Sequence, residues 1–333
     1  MSVEVPVIDF SRLSTSNSEE CLDVESIKTI ADQVFSALKE TGFLYLKNTG
    51  LEKEEVLKSN GIMEQFFLQS KDVKQKFARG SEIHRHHGWM DTEYPDPTKP
   101  ADLKEGFNCV PIEVTSNEDM QWPSDDFQEI VLQLYNKLNK IATNMCRVLA
   151  VAFGKNLDFF TRHHTKMGAE GNPTLLKFLY YYPLKKSDLL KVEEGALRCS
   201  EHTDKTTFTF LISEDITGLQ VMKRNGEWVN LTKAEEPNYI LVNMGELMNR
   251  WSDDELTAAN HRVVYKDVYG VQGSDDAEDP IMCPKRQSMA YFVAPDIGQI
   301  VTPFRESSRY APTSVEDFFA EIVKQLYKWD KQN

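Results

Sequence analysis

His202-Thr-Asp204 opens a run that continues with Phe208-Thr-Phe-Leu-Ile212, Gly218-Leu-Gln-Val-Met222, Asn225-Gly226 and Trp228-Val-Asn-Leu231, and this run decides the fold. Phe208, Phe210 and Ile212 alternate with Thr207, Thr209 and Leu211, the period of two expected of a strand. Asn225-Gly226 between two short apolar segments is the signal of a tight hairpin, because both residues tolerate the positive φ such a turn needs. Working outward, the aromatic-rich stretch Leu175 to Tyr182, then Tyr239-Ile-Leu-Val242 and Met289-Ala-Tyr-Phe-Val293, add further strands. Short strands at this spacing predict a sandwich, a barrel or a jelly roll.

The rest of the chain reads differently. Val5-Pro-Val-Ile-Asp-Phe10 is extended, after which Val24, Ile27, Ile30, Ala31, Val34, Phe35 and Leu38 fall at helical spacing up to Gly42. Phe43-Leu-Tyr-Leu46 is a strand, and a second helix is expected over Glu52 to Phe67. From His84 to Cys109 the periodicity is lost and Pro95, Pro97 and Pro100 gather, which predicts a long loop of the kind that forms lids or binding loops. Pro123-Ser124 caps the clearest helix, whose stripe of Phe127, Ile130, Val131, Leu134, Leu138, Ile141, Met145, Leu149 and Ala152 runs to Gly154. A last helix spans Ser314 to Tyr327.

With 41% hydrophobic and 27% charged residues among 333, the composition is that of a soluble globular protein. A net charge of −14 argues against nucleic acid, whose phosphates are bound mainly through Lys and Arg. The N-terminus lacks a basic segment followed by an apolar run, and no stretch is long enough to span a membrane. Cys21, Cys109, Cys146, Cys199 and Cys283 show neither zinc spacing nor a disulfide framework, which fits reduced thiols in a cytoplasmic protein.

His202 and Asp204, two apart, project from the same side of an extended backbone, and His261 lies 57 positions further on. Two imidazoles and one carboxylate form the ligand set of a non-haem Fe(II) site with open positions. The net positive charge left on such a centre favours an anionic co-substrate. Arg286 and Ser288, again two apart, offer planar two-pronged recognition of a carboxylate plus one hydroxyl donor. A dicarboxylate such as 2-oxoglutarate would use both ends. Taken singly, each piece has a plainer reading: a surface histidine near a loop aspartate, a buried histidine opening a strand, an exposed arginine.

The sequence resembles the Fe(II)- and 2-oxoglutarate-dependent dioxygenases of the isopenicillin N synthase-like branch. The resemblance rests on Val5-Pro-Val-Ile-Asp-Phe10, Thr41-Gly-Phe-Leu-Tyr45, Tyr181-Tyr-Pro183, His202-Thr-Asp204, Thr209-Phe-Leu211, Gly218-Leu-Gln-Val221, Asn243-Met-Gly245, His261-Arg-Val263 and Arg286-Gln-Ser288 with Tyr291-Phe292. It implies a mainly β fold with flanking helices (α+β), built on a double-stranded β-helix, or jelly-roll, core. The expected organisation is an integral N-terminal region of helices and strands (1–120), a scaffold helix and loop (121–171), the catalytic core (172–300) and a C-terminal helix packing on it (301–333). It implies His202, Asp204 and His261 as iron ligands, and Arg286 and Ser288 as the anchor of the distal carboxylate, with Tyr182 as a further contact. It also implies oxidative decarboxylation of 2-oxoglutarate to succinate and carbon dioxide, coupled to hydroxylation, desaturation or ring closure of a small organic molecule. Fe(II), 2-oxoglutarate and O2 are the expected cofactor and co-substrates, with ascorbate in a supporting role, in a cytoplasmic monomer without nucleic-acid or membrane partners. Two alternatives stand beside this: an oxidase in which Arg286 and Ser288 hold the substrate's own carboxylate, and a binding protein on the same scaffold that has lost catalysis.

Tyr180 stands where many members carry Asn, and 265–285, with the acidic stretch Ser274-Asp-Asp-Ala-Glu-Asp279, lengthens the spacing between His261 and Arg286. That insert is a solvated loop or a flap. His84, His86 and His87 are a polar loop or a second metal site, and His163-His164 is expected in a polar loop after a helix. Asn108 is expected to face substrate or to belong to a turn at Gly106. Lys205 reaches the pocket or projects into water, and Phe292 belongs to core or pocket.

Overall fold

The computed structural model describes residues 2–14, 24–79, 87–91, 99–110, 122–265, 279–306 and 309–330. In chain order the strands are β1 (Ser2–Val3), β2 (Val7–Asp9), β3 (Phe43–Lys47), β4 (Gly88–Met90), β5 (Glu105–Cys109), β6 (Leu175–Tyr181), β7 (Leu184–Lys185), β8 (Cys199–His202), β9 (Phe208–Ile212), β10 (Leu219–Met222), β11 (Trp228–Leu231), β12 (Ile240–Met244), β13 (His261–Val263), β14 (Ile281–Cys283), β15 (Arg286–Val293), β16 (Ile300–Val301) and β17 (Thr313–Ser314). The helices are α1 (Val24–Thr41), α2 (Lys53–Phe67), α3 (Lys71–Gln75), α4 (Asp125–Ala152), α5 (Lys186–Leu189), α6 (Glu246–Trp251) and α7 (Val315–Asp330). Among the described residues none of them is long and apolar enough to cross a membrane.

Two sheets carry the architecture. One has eight strands in the order β2-β3-β12-β9-β15-β6-β5-β4, the other five in the order β1-β11-β10-β13-β8. The alternation along β9 explains the layering. Phe208, Phe210 and Ile212 join Leu176, Phe178, Met289, Tyr291 and Val293 on one face, where α1, α2 and α4 pack. The opposite face of the same sheet meets the smaller one: Phe43, Tyr45 and Leu241 pack on Leu219, Val221, Val229 and Val263. Helices, large sheet and small sheet therefore form three layers around two apolar seams, a jelly roll flanked by helices.

Local chemistry supports the long elements. The Ser124 hydroxyl accepts from the Phe127 N–H at 3.2 Å, with Asp125 and Asp126 in the first turn of α4, so an anionic cap meets the positive end of the helix. At the start of α2 the Glu55 carboxylate accepts from the Glu52 N–H at 2.8 Å.

Two expectations are corrected. Residues 84–109 are not simply a loop: β4 and β5 pair with each other, and β5 pairs with β6, extending the large sheet. Glu-Gly-Phe-Asn-Cys lacks an alternating pattern because β5 is buried from Gly106 to Cys109 on both faces. His163-His164 is not a polar loop either. His163 closes a 3-10 turn, and His164 is buried, donating Nδ1–H to the Phe160 carbonyl at 2.7 Å and meeting the Thr207 hydroxyl through Nε2 at 2.9 Å. His84, His86 and most of the acidic insert (266–278) lie outside the described residues.

Burial lowers the His164 pKa to about 4. The native state therefore stays unprotonated where the unfolded chain takes up a proton. Stability from this group is fully present above the ordinary histidine pKa and is lost as pH falls towards the native value. Between pH 7 and pH 5 the parent should lose roughly 2 kcal/mol more than His164→Gln, measured by urea unfolding. Equal losses would remove His164 as the cause.

Candidate active site

Strands β8 and β13 pair antiparallel with His202 directly opposite His261. Three steps separate Cys199 from His202 against two from Val263 to His261, so the register shifts, as in a β-bulge, beside the two histidines. Their rings lie 4.3 Å apart between centroids. Each Nδ1 faces a carbonyl oxygen two residues back, Ser200 O at 2.8 Å and Ala259 O at 3.0 Å. A carbonyl only accepts, so both Nδ1 atoms carry the hydrogen and both Nε2 atoms present a lone pair. The two lone pairs converge on Asp204, whose Oδ1 is 3.7 Å from His202 Nε2 and 3.9 Å from His261 Nε2.

These separations are too long for hydrogen bonds. Asp204 is buried, and its other oxygen, Oδ2, is occupied by the Thr209 hydroxyl and the Asn243 amide, each at 2.7 Å. Oδ1 is thereby left facing the imidazoles. Burial works against the carboxylate, but the positive charge that the two imidazoles carry when protonated, with the bonds from Asn243 and Thr209, holds its pKa below the usual carboxylate range. His261 is pushed down by burial and by its neighbour His202, which favours the neutral, ligating form. Among the described residues, this is the one group of three or more His, Cys, Asp or Glu side chains whose ligand atoms lie within 4.8 Å of one another. Two neutral nitrogens and an anionic oxygen directed at one point, with no proton between them, fit a divalent cation that accepts N and O donors.

The loop after Asp204 is pinned from the other side. Glu246 N donates to Asp204 O at 2.8 Å and Gly245 N to Thr207 O at 3.1 Å. A Cβ on Gly245 would stand 2.2 Å from the Thr206 carbonyl oxygen, so only glycine permits this approach.

A cavity opens between the sheets from this cluster. His202, Asp204 and His261 line it with Arg286 and Ser288, and its walls include Phe43, Leu179, Leu211, Leu219, Leu241, Val263 and Phe292. Arg286 is buried; its Nε donates to the Asp215 carbonyl at 2.9 Å, one amino group lies 3.2 Å from Ser288 Oγ, and its guanidinium stacks 4.9 Å from the Tyr181 ring centre. Among the described residues no carboxylate lies within ion-pair distance of it.

Tyr182 is not in the cavity. Its hydroxyl donates to Phe67 O at 2.7 Å and receives Lys74 Nζ at 3.0 Å, on the side of α2 and α3. Strand alternation is the reason: Tyr180 and Tyr182 contact each other on the helix side, and Tyr181, overlooked as a site residue, lines the cavity. The hydroxyl of Tyr180 points to Glu64. Phe292 lines the cavity. Lys205 is tied to Glu246 and lies 3.3 Å from the Thr203 hydroxyl, half-exposed. Asn108, on β5 opposite Lys177, is buried, and its Oδ1 has no partner among the described residues; it is not part of the cavity wall. Buried His87 packs edge-on against Phe107 and Trp122. Asn243 and Thr209 were legible only as parts of longer motifs, with no role attached to either side chain.

A jelly roll with a two-histidine, one-carboxylate cluster at the mouth of a cavity defines a non-haem iron oxygenase. Known proteins agree. Residues 5–125 match the family model of the non-haem dioxygenase N-terminal region in morphine synthesis, and residues 173–295 match that of the 2OG-Fe(II) oxygenase superfamily. A 2-oxoglutarate-Fe(II) type oxidoreductase of Metarhizium rileyi is 24% identical over 323 residues, covering 90% of this chain and 86% of the relative. Isopenicillin N synthase of Penicillium chrysogenum is 26% identical over 325 residues, covering 93% and 90%. The solved structure of a full-length Neurospora crassa protein in complex with alpha-KG and thymine superposes with a TM-score of 0.77 at 24% identity, covering 97% of this chain and 96% of that one. This chain belongs to the 2OG-Fe(II) oxygenase superfamily, and is an oxidoreductase whose cofactor and co-substrate are iron and 2-oxoglutarate.

Asn243→Ala removes one of the two donors that turn Asp204, and should weaken Fe(II) binding by about tenfold to a hundredfold. Anaerobic titration of the apo-protein measures it; an unchanged affinity would mean that Asn243 does not orient the carboxylate.

Proposed function

We propose that this enzyme oxidises a small organic molecule at a C–H bond with 2-oxoglutarate and O2, releasing succinate and carbon dioxide. His202, Asp204 and His261 are the residues that would hold the iron. The single observation that carries the rest is Arg286, a buried guanidinium with no carboxylate partner among the described residues, lining the same cavity as the three ligands. Burying a charge without an opposite one costs several kcal/mol. A ligand carboxylate is the natural counter-ion, and the fork of the guanidinium suits it.

Bound iron supplies the activation of O2. The chain's own residues do the remaining work. Arg286 and Ser288 would bind the distal carboxylate of 2-oxoglutarate, with Tyr181 keeping the guanidinium plane in place by stacking. The Asp215 carbonyl occupies Nε, so the amino groups are the ones presented to the ligand. Leu179, Leu211, Leu219, Leu241 and Val263 keep water away from the chain of the co-substrate, which strengthens each polar contact at its two ends. Phe292 would form a wall of the substrate pocket, with Lys205 as an outer contact. The thymine bound to the Neurospora crassa protein and the substrates implied by the names of the other relatives support a small-molecule substrate. The protein is expected to act as a monomer.

The test is aerobic succinate release from 2-oxoglutarate with Fe(II) and ascorbate, first without substrate and then against small-molecule libraries. The parent should release succinate slowly alone and faster with its substrate. Arg286→Gln should raise the apparent KM for 2-oxoglutarate at least about tenfold, the loss of roughly 1.4 kcal/mol or more expected when a buried charge pair is truncated. Absence of 2-oxoglutarate binding together with substrate oxidation would favour the oxidase reading, in which Arg286 and Ser288 hold the substrate's carboxylate.

A further inference from the structure

The strand that carries His202 is an edge. Among the described residues, β8 pairs with β13 on one side and with no other strand of its sheet. An edge strand leaves a row of backbone groups without a ladder and is held less firmly than an inner one. Here the open side is clasped by the residues that lead into β5. Leu103 N donates to Leu197 O at 2.9 Å. Asp102 Oδ1 accepts twice from one residue of β8, from Ser200 N at 2.8 Å and from Ser200 Oγ at 2.6 Å. Asp102 Oδ2 is paired with the Lys104 ammonium.

Both members of that pair are buried, Asp102 at 4% and Lys104 at 7% exposure. A desolvated ion pair is a poor way to add stability, since apolar side chains of similar volume do as well or better. What it does supply is direction. The carboxylate fixes Ser200 through its N–H and its hydroxyl, and the carbonyl of that same residue receives His202 Nδ1–H.

We propose that the Asp102–Lys104 pair is a positioning device for His202. Lys104 holds the carboxylate, the carboxylate holds Ser200, and the Ser200 carbonyl keeps His202 in the tautomer whose Nε2 is free to ligate. The proposal rests on His202 being a metal ligand. It extends the support of the site beyond Asn243 and Thr209, which act on Asp204, to the imidazole on the exposed side of the cluster.

The experiment titrates apo-protein with Co(II) alone, reading both the affinity and the visible absorption band of the bound ion, which reports ligand geometry and not fold stability. Asp102→Ala should weaken binding by about tenfold to a hundredfold and shift the band. Ser200→Ala, which removes one of the two bonds and keeps the N–H, should give a smaller change in the same direction, and it decides the question alone if Asp102→Ala does not fold. The double variant Asp102→Asn with Lys104→Met keeps an acceptor for Ser200 without burying a charge, and should restore affinity to within a few-fold of the parent. Affinity and band unchanged in both Asp102→Ala and Ser200→Ala, whatever happens to the melting temperature, would overturn the proposal. Asp204→Ala is the control: if it binds Co(II) as the parent does, the metal-site reading itself fails, whereas its loss of binding beside normal Asp102→Ala and Ser200→Ala would sink only the positioning role.

Discussion

Two imidazole nitrogens and a carboxylate oxygen held face to face with no hydrogen between them repel one another, and most of what surrounds His202, Asp204 and His261 works to keep them there. Each imidazole gives its one N–H to a carbonyl two residues back in the chain, so neither can turn to donate to Asp204. Asp204 has two donors on the oxygen that points away, so it has little reason to rotate. The cross-strand pairing of β8 with β13 then sets the spacing. A cation relieves the repulsion that the fold maintains without it, which is how a protein keeps a metal site prepared before the metal arrives.

The second charge of the cavity is solved differently. Arg286 opens β15, its backbone paired with Tyr181 of β6, and its side chain is fixed by a carbonyl, a hydroxyl and a ring. None of these neutralises it. The chain as a whole carries a charge of −14, yet the space between the sheets has a cationic anchor at one part and a cation-ready cluster at another, separated by leucine and valine. A small dianion has a reason to enter a protein that would repel it at the surface.

Much of this could be read from residue order. The alternation along Phe208–Ile212, the Asn225-Gly226 turn and the stripe of the long helix each follow one period cleanly, and each forms the expected element. Arg286 and Ser288 were legible because residues two apart on a strand share a face, and His202 with Asp204 showed the same spacing at the end of β8. Tyr182 came from the resemblance alone, and its hydroxyl turns to the helix side instead: in Tyr180-Tyr-Tyr182 every position is aromatic, so nothing in the residues marks which side is inward. β5 was hidden because burial on both faces erases alternation. Asp102 and Lys104 had no signal at all: a buried ion pair between residues two apart looks, in sequence, like an ordinary solvated loop.

The place of β12 in the large sheet has a consequence for how the protein comes into being. It lies between β3, from near the N-terminus, and β9, so Leu241 faces Tyr45 on one side and Leu211 on the other. Asn243, which steadies Asp204, is thus held in a strand that depends for one of its neighbours on a segment from the far end of the chain. Closing so long a loop is slow, because its entropy must be lost before the contacts form. Completing the iron site therefore requires the first and last thirds of the chain to be in place together. A nascent chain emerging from the ribosome exposes His202 and Asp204 well before it has the scaffold to hold them still.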